Sequence, residues 1–470
     1  MIITRHLINS NIQYSDCEQN RSLKSYNFSL LSTRIDAYKN LLQNQLFCKR
    51  GERILIGCQP GLAQTALIFA ASELGLVITV VDFNRIDNWK TKDYIDPKTK
   101  LLSPINYLFT DTRIASDKLK ILQIVSKIVI YTSNNYDSAE LYINHNKKII
   151  PLDFTKNDEI FCEPDSTYLI CTSSGTTGTP KIISHSHKFI FHLIKRNQFF
   201  YSGKVGVSTN LQHGSSFATY FLPIITCNKV TEIYNYKLLE LRQGNYTNIE
   251  HLMLPYPHLI EQFLYREKGH PNITVYTLSY IQEQWKKELN KNVKNIISFF
   301  GSNETSGPVF INELADDNFQ ETKYKKIDDF YDIKFGQKGE LSVTLPHYDS
   351  CTISTNDCFI KIDEQYIHTG RNDLIRINGV AIDLESYNKV CKQNLDATLV
   401  YDSVKQQIYL AIWKNTDNFQ DKIDNVNNYL QESSQYSHLI NKYSVLNYEE
   451  FLSGIKLDHE LLREYFRKNV

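Results

Sequence analysis

The chain has 470 residues, 42% of them hydrophobic and 22% charged. That composition excludes a disordered chain or a fibre and leaves room for two or three domains. With 52 basic and 52 acidic residues there is no global field to hold nucleic acid or an anionic membrane, so any polyanion must bind locally. At the amino end, MIITRHLINSNIQYSD has no apolar stretch long enough for a signal peptide. The most apolar segment, 66–81, is interrupted by Ser72, Glu73 and Gly75, so no membrane span is expected. Cys17, Cys48, Cys58, Cys162, Cys171, Cys227, Cys351, Cys358 and Cys391 show neither CxxC nor zinc spacing. Such a scattered, odd set reads as thiols in a reducing compartment, and a cytoplasmic protein is the expectation.

In chain order, the first clear unit begins at residue 53. Residues 53–58 (Arg-Ile-Leu-Ile-Gly-Cys) read as an apolar strand, 63–74 as a helix stopped by Gly75, and 76–81 as a second, β-branched strand. Strand, helix and strand joined this tightly form a βαβ crossover, which predicts a parallel sheet covered by helices. Residues 127–131 and 167–171 read as strands and 189–199 as a helix. A strand over 249–254 stops at Pro255, and a helix is predicted over 258–266. After about residue 330 short strands and turns take over. Past Asp373 the pattern predicts strands over 397–401 and 408–413, then a helix with Phe419, Ile423, Val426 and Leu430 on one face. The expected architecture is α/β: a large domain, 1–372, of parallel-containing sheets covered by helices, and a small mobile α+β domain, 373–470.

The segment richest in chemistry is Thr172-Ser173-Ser174-Gly175-Thr176-Thr177-Gly178-Thr179-Pro180-Lys181. It follows a predicted strand and is read as leading into a helix. Two glycines allow a tight turn, the hydroxyls add donors, and backbone N–H groups in such a turn form a concave nest for phosphate oxygens. Lys181 adds a positive charge. The spacing is not that of the GxxxxGK[ST] P-loop. A solvated loop of turn formers is the alternative, and the strand before it and the Pro-Lys after it argue against that alternative.

The loop resembles the signature of AMP-forming adenylating enzymes, the superfamily of acyl- and aryl-CoA synthetases, peptide-synthetase adenylation domains and firefly luciferase. Further motifs occur in the family's order. Phe300-Gly301-Ser302-Asn303-Glu304-Thr305 resembles the aromatic-Gly-x-Thr-Glu motif. The resemblance implies that Phe300 stacks on adenine, with Gly301, Ser302 and Asn303 beside the nucleoside, and that Glu304, with Thr176, holds Mg²⁺. An aromatic face suits a purine, and a hard cation wants a carboxylate near its phosphates. The segment ending at Asp357 resembles one whose aspartate grips the ribose hydroxyls. Residues 366–383 resemble the Gly-Arg-x-Asp stretch joining the two domains. That likeness implies Arg371 on ribose or phosphate, Asp373 as hinge, and Gly379 leaving space for a pantetheine arm, where only glycine permits close backbone approach. Residues 453–463 resemble the terminal motif whose lysine closes over the active site, here Lys456, although Ile455 separates it from Gly454. His213 stands where many acyl and aryl ligases carry a pocket histidine. His185 and His187 come after the loop, and His187 matches a common family histidine.

What the resemblance implies is ATP-dependent and Mg²⁺-dependent activation of a carboxylic acid as acyl-AMP. Transfer to the thiol of CoA, or to the phosphopantetheine of a separate carrier protein, would complete the reaction. Domains that activate α-amino acids place an aspartate near the start of the pocket helix. Residues 213–217 contain no carboxylate, and an unpaired ammonium would be costly, so an aryl or fatty acid is favoured. Candidate pocket residues are His213, Phe217, Tyr220, Phe221, Tyr280, Ser302, Pro308 and Val309. Two alternatives stay open: transfer to a non-thiol acceptor, or a non-catalytic nucleotide-binding relative. The inserted Ile455, with Ile182 and Asn356 where the family has glycine, favours the latter; Glu304, Asp357, Arg371 and Lys456 speak against it.

Overall fold

The computed structural model describes residues 3–17, 23–58, 61–80, 105–110, 127–130, 138–143, 146–155, 163–172, 182–208, 211, 216–236, 246, 249–255, 257–264, 270–278, 283–313, 323–337, 339–346, 352–371, 375–377, 380–382, 388, 391, 397–402, 407–413, 440–453, 456–457 and 459–469. They form a mixed α/β fold in two compact units. The first comprises Met1–Ser279, Glu288–Asp316 and Leu345–Cys351, and the second Tyr280–Lys287, Asp317–Thr344 and Thr352–Val470. Among the described residues no helix is long and apolar enough to cross a membrane.

In the first unit, the predicted βαβ crossover is present. Strands Arg53–Ile56 and Val77–Val80 pair in parallel, and helix Leu62–Glu73 connects them. Both strands are buried at every position, as a sheet covered on two faces requires. Gly75 ends the helix with φ 68°, Gly75 N–H bonding Ser72 O (3.0 Å) and Leu76 N–H bonding Ala71 O (2.9 Å). This crossed pair of bonds needs a left-handed residue, the reason glycine stands there. The sheet runs in the order Ile182–Ser186, Thr167–Thr172, Val77–Val80, Arg53–Ile56, Ile105–Thr110, Lys127–Ile130, Ser138–Ile143, Asn146–Pro151. Its middle strands are parallel, and antiparallel pairs flank them.

A second sheet in this unit repeats that plan. Val293–Gly301, His270–Thr277, His251–Met253, Gly203–Val207, Val230–Asn235 and Gln13–Cys17 are parallel neighbours. Pro308–Glu313 and Leu23–Asn27 add antiparallel partners. The amino-terminal segment is fastened by charge. The Arg5 guanidinium reaches Asp36 and Glu73, each at 2.9 Å, and Lys39 Nζ lies 3.1 Å from Glu73. Two cations and two anions buried together satisfy one another, whereas any one of them alone would be strongly destabilising.

In the second unit, Asp332–Phe335, Glu340–Thr344, Thr352–Ile362, Gln365–Arg371 and Lys323–Lys326 form an antiparallel series. Glu340–Thr344 buries Leu341 and Val343 and turns its other residues outward, the period of two of a half-buried strand. Strands Ala397–Asp402, Gln407–Trp413 and Ile440–Leu446 form a separate sheet, in place of the two-strand expectation for this region. Helix His459–Asn469 packs Leu462 and Phe466 against Val400, Tyr409, Ala411 and Trp413. The helix predicted to carry Phe419, Ile423, Val426 and Leu430 lies outside the described residues.

Candidate functional site

Of the proposed phosphate loop, Thr172 is described, whereas Ser173, Ser174, Gly175, Thr176, Thr177, Gly178 and Lys181 lie outside the described residues. The expected direct passage from loop to helix is not what the structure shows. A strand, Ile182–Ser186, intervenes and pairs antiparallel with Thr167–Thr172, so that Thr172 and Ile182 are direct partners. The helix begins only at His187, where the Ser186 hydroxyl accepts the Phe189 N–H (3.2 Å) as its cap. The two ends of the loop are therefore pinned by a ladder of strand hydrogen bonds.

That ladder is tied to the segment carrying Phe300 and Glu304. Strand Val293–Gly301 ends in a tight turn, and Ser306 N–H returns to Ser302 O at 2.9 Å. The Thr305 hydroxyl lies 3.0 Å from Ser302 O and 2.8 Å from Gly307 O, and the same oxygen accepts the Ser302 N–H at 3.0 Å. A Cβ on Gly301 would run into the Gly307 carbonyl, so glycine is required by close backbone approach. Phe300 is half-buried, its ring 6.0 Å from that of Phe310. Asn303 and Glu304 sit half-buried in the turn, and among the described residues Glu304 has no ion-pair partner. Among them there is also no cluster of three metal-ligating side chains. A lone carboxylate of this kind fits Mg²⁺, which typically takes one or two protein carboxylates and completes its octahedron with phosphate oxygens and water.

Sequence reasoning gave His185 no role. Its Nε2 lies 2.9 Å from Asn303 O and 2.6 Å from Ser306 Oγ, and its ring stacks on Phe189 at 5.2 Å. The β-branched pair Ile182-Ile183 was the available signal, but a five-residue segment between a glycine-rich loop and a helix is too short to announce itself as a strand. Burial pushes His185 down to about 4; the bond to Asn303 opposes this only in part. His187 is also held at about 4, mainly by burial and then by the charges of the chain's amino terminus and Arg50. Its Nδ1 accepts the Ile3 N–H at 3.4 Å.

Both folded-state values lie below the ordinary histidine value of 6.5. The unfolded chain therefore binds more protons than the folded one between pH 6.5 and 4, and stability falls as pH falls through that window. By pH 5 each histidine should cost about 2 kcal/mol. Thermal unfolding at pH 7 and pH 5 checks this. A midpoint unchanged across the interval would contradict the assignment of both rings as buried and neutral.

On the side assigned to the acid, Phe217–Phe221 is a π-helical stretch that runs into helix Leu222–Thr226. Single π-turns within helices often occur at functional sites. Phe217, Tyr220 and Phe221 are buried, and Phe217 lies 6.1 Å from Tyr168 and 6.3 Å from Phe221, ring centre to ring centre. The Thr219 hydroxyl donates to Ser306 O (3.2 Å), and Arg196 Nη1 to Pro308 O (2.6 Å). These bonds bring the π-turn, the Ser302 turn, Pro308 and buried Val309 into one neighbourhood. His213 and Tyr280 lie outside the described residues.

In the second unit, Asp357 and Arg371 are direct cross-strand partners. Asp357 Oδ1 accepts from His368 Nε2 at 3.2 Å, and the carboxylate is buried. His368, which orients that carboxylate, is another residue sequence reasoning missed. Asp373 and Gly379 lie outside the described residues. Lys456 is paired with Ser453 across a short antiparallel ladder. Just beyond, helix His459–Asn469 is anchored by Phe466 stacking on Tyr409 (4.8 Å) and by Arg467 gripping Asp402 at 2.9 and 3.1 Å.

Residues 14–236 match the family described as AMP-binding enzyme. Solved structures of similar fold include anthranilate CoA ligase AuaEII with anthranoyl-AMP, at 12% identity and TM-score 0.71, covering 98% of this chain and 95% of the other. Another is o-succinylbenzoate coenzyme A synthetase from Bacillus subtilis with ATP and magnesium (12%, 0.68, 98% of both chains). Fatty acyl-adenylate ligases from E. coli and L. pneumophila give 13% and 0.70, covering 98% and 97%. No curated protein sequence matches. At these identities the structures establish a shared fold.

Proposed function

We propose, from the match of residues 14–236 to the family described as AMP-binding enzyme, that the protein activates a carboxylic acid with MgATP as acyl-AMP, releasing pyrophosphate, and then passes the acyl group to a thiol. The observation that carries this reading is the bond from His185 to the Asn303–Ser306 turn, which ties the hairpin bracketing 173–181 to the segment holding Phe300 and Glu304.

A carboxylate is a poor acyl donor because its leaving group would be oxide; adenylation exchanges that oxide for AMP. Phe300 presents a ring face to adenine. Asp357, oriented by His368, accepts from the ribose hydroxyls, and Arg371 contacts ribose or phosphate. Thr172, the loop 173–178 and Lys181 hold the β- and γ-phosphates. Glu304, with Thr176, would hold Mg²⁺, which when bound would neutralise phosphate charge. Lys456 bonds the substrate carboxylate and the α-phosphate as negative charge builds. Such preorganised donors contribute roughly 3–4 kcal/mol each where water is excluded. Asp373 serves as hinge, Gly379 admits the pantetheine arm, and His213 lines the path between acid and thiol.

The absence of a carboxylate in 213–217 and the apolar burial of Phe217, Tyr220, Phe221 and Val309 support an aryl or fatty acid over an α-amino acid. The acceptor is CoA or a carrier-protein phosphopantetheine. Hydroxamate trapping across aryl, short-chain, long-chain and α-amino acids tests the acid class, and adding CoA or a loaded carrier protein tests the acceptor. Trapping confined to α-amino acids would overturn the acid assignment, and a trapped adenylate with no thioester would overturn the thiol acceptor.

A further inference from the structure

We propose that His185 is a positioning residue for the metal-bound nucleotide, fixing the Asn303–Ser306 turn so that the Glu304 carboxylate stays where it would hold the nucleotide's cation. This rests on the reading of Glu304 as the cation ligand. The Asn303 carbonyl can only accept, so His185 carries its proton on Nε2 and shares it between that carbonyl (2.9 Å) and the Ser306 hydroxyl oxygen (2.6 Å). The Ser306 hydroxyl in turn donates to Asn303 O at 3.2 Å. One ring nitrogen thus grips the turn on both sides of Glu304.

The grip has something to oppose. Ser306 has φ 49°, a left-handed conformation that a residue with a Cβ adopts rarely and at a cost. Three bonds converge on it: its N–H to Ser302 O, its carbonyl from the Thr219 hydroxyl, and its own hydroxyl with His185. Without His185 the strained residue keeps only the longer hydroxyl bond to Asn303 O, and the Asn303 carbonyl loses its imidazole donor. A leucine side chain at 185 would fill similar volume and still pack against Phe189. What the imidazole adds is the link from strand Ile182–Ser186 to the turn.

ATP binding measured with excess Mg²⁺ and with EDTA tests this without requiring turnover. The wild type should bind ATP more tightly with Mg²⁺. His185→Leu should raise the Kd for MgATP by about tenfold and change the metal-free Kd by less than about twofold, the size expected when one charge-positioning bond is lost. His185→Gln, whose Nε2–H can reach the same carbonyl, should recover most of the Mg²⁺ effect. Ser306→Ala removes only the hydroxyl and should weaken MgATP several-fold, which keeps the test open if His185→Leu does not fold. Folded variants that keep the full Mg²⁺ effect would overturn the inference alone. A wild type with no Mg²⁺-dependent ATP binding would overturn both the inference and the reading of Glu304.

Discussion

Replacing Lys456 with alanine is expected to slow acid-dependent pyrophosphate release by about a hundredfold or more, with ATP affinity changed by less than about twofold. The asymmetry comes from where the charge acts. Before reaction the carboxylate and the α-phosphate are both anions that must approach each other, and a cation between them is worth most as the new bond forms. An interaction stronger in the transition state than in the ground state appears in kcat and not in binding. The substitution should leave the fold intact. Helix His459–Asn469 is held by Leu462 and Phe466 in the core and by Arg467 on fully buried Asp402, none of which involves Lys456. Lys456→Arg should recover part of the rate, because it keeps the charge but spreads it over a planar fork. A Lys456→Ala protein with wild-type kcat would show that the cation comes from elsewhere.

Glu304→Gln is expected to lower kcat/KM for MgATP by about a hundredfold and to remove most of its dependence on Mg²⁺ concentration. Glutamine keeps the volume and one carbonyl oxygen but loses the charge that a hard cation requires. Glu304 is half-exposed and lacks an ion-pair partner among the described residues, so stability should change by less than about 0.5 kcal/mol. Titrating Mg²⁺ at fixed ATP with both proteins separates the outcomes. A normal Mg²⁺ dependence in the variant would move the metal ligand to another residue.

Much of the frame was legible where a local rule had a single solution. The crossover around Leu62–Glu73 was readable because β-branched runs flank an alanine-rich helix and Gly75 supplies the left-handed residue that its end requires. Gly301 was readable as part of a motif, and the structure adds the reason: the Gly307 carbonyl fills the space of a side chain. The strand Ile182–Ser186 was missed because five residues give too little alternation to outweigh a helix that begins at the next residue. His185 and His368 escaped for a different cause. His185 meets Asn303 and Ser306 between two different sheets, and His368 meets Asp357 across a register shifted by the bulge at Cys358/Phe359, neither of which a spacing rule encodes. The buried group of Arg5, Asp36, Lys39 and Glu73 was equally silent, since each residue alone reads as a solvated charge.

Whether this chain joins AMP to a carboxylic acid is decided by pyrophosphate release from MgATP. The assay uses the entire 470-residue chain, with and without an aryl or fatty acid and with hydroxylamine present, beside the Lys456→Ala variant. Release should depend on the acid, yield the matching hydroxamate and be lost in the variant. ATP binding without acid-dependent release for any acid tried, or release that Lys456→Ala leaves unchanged, would contradict the assignment.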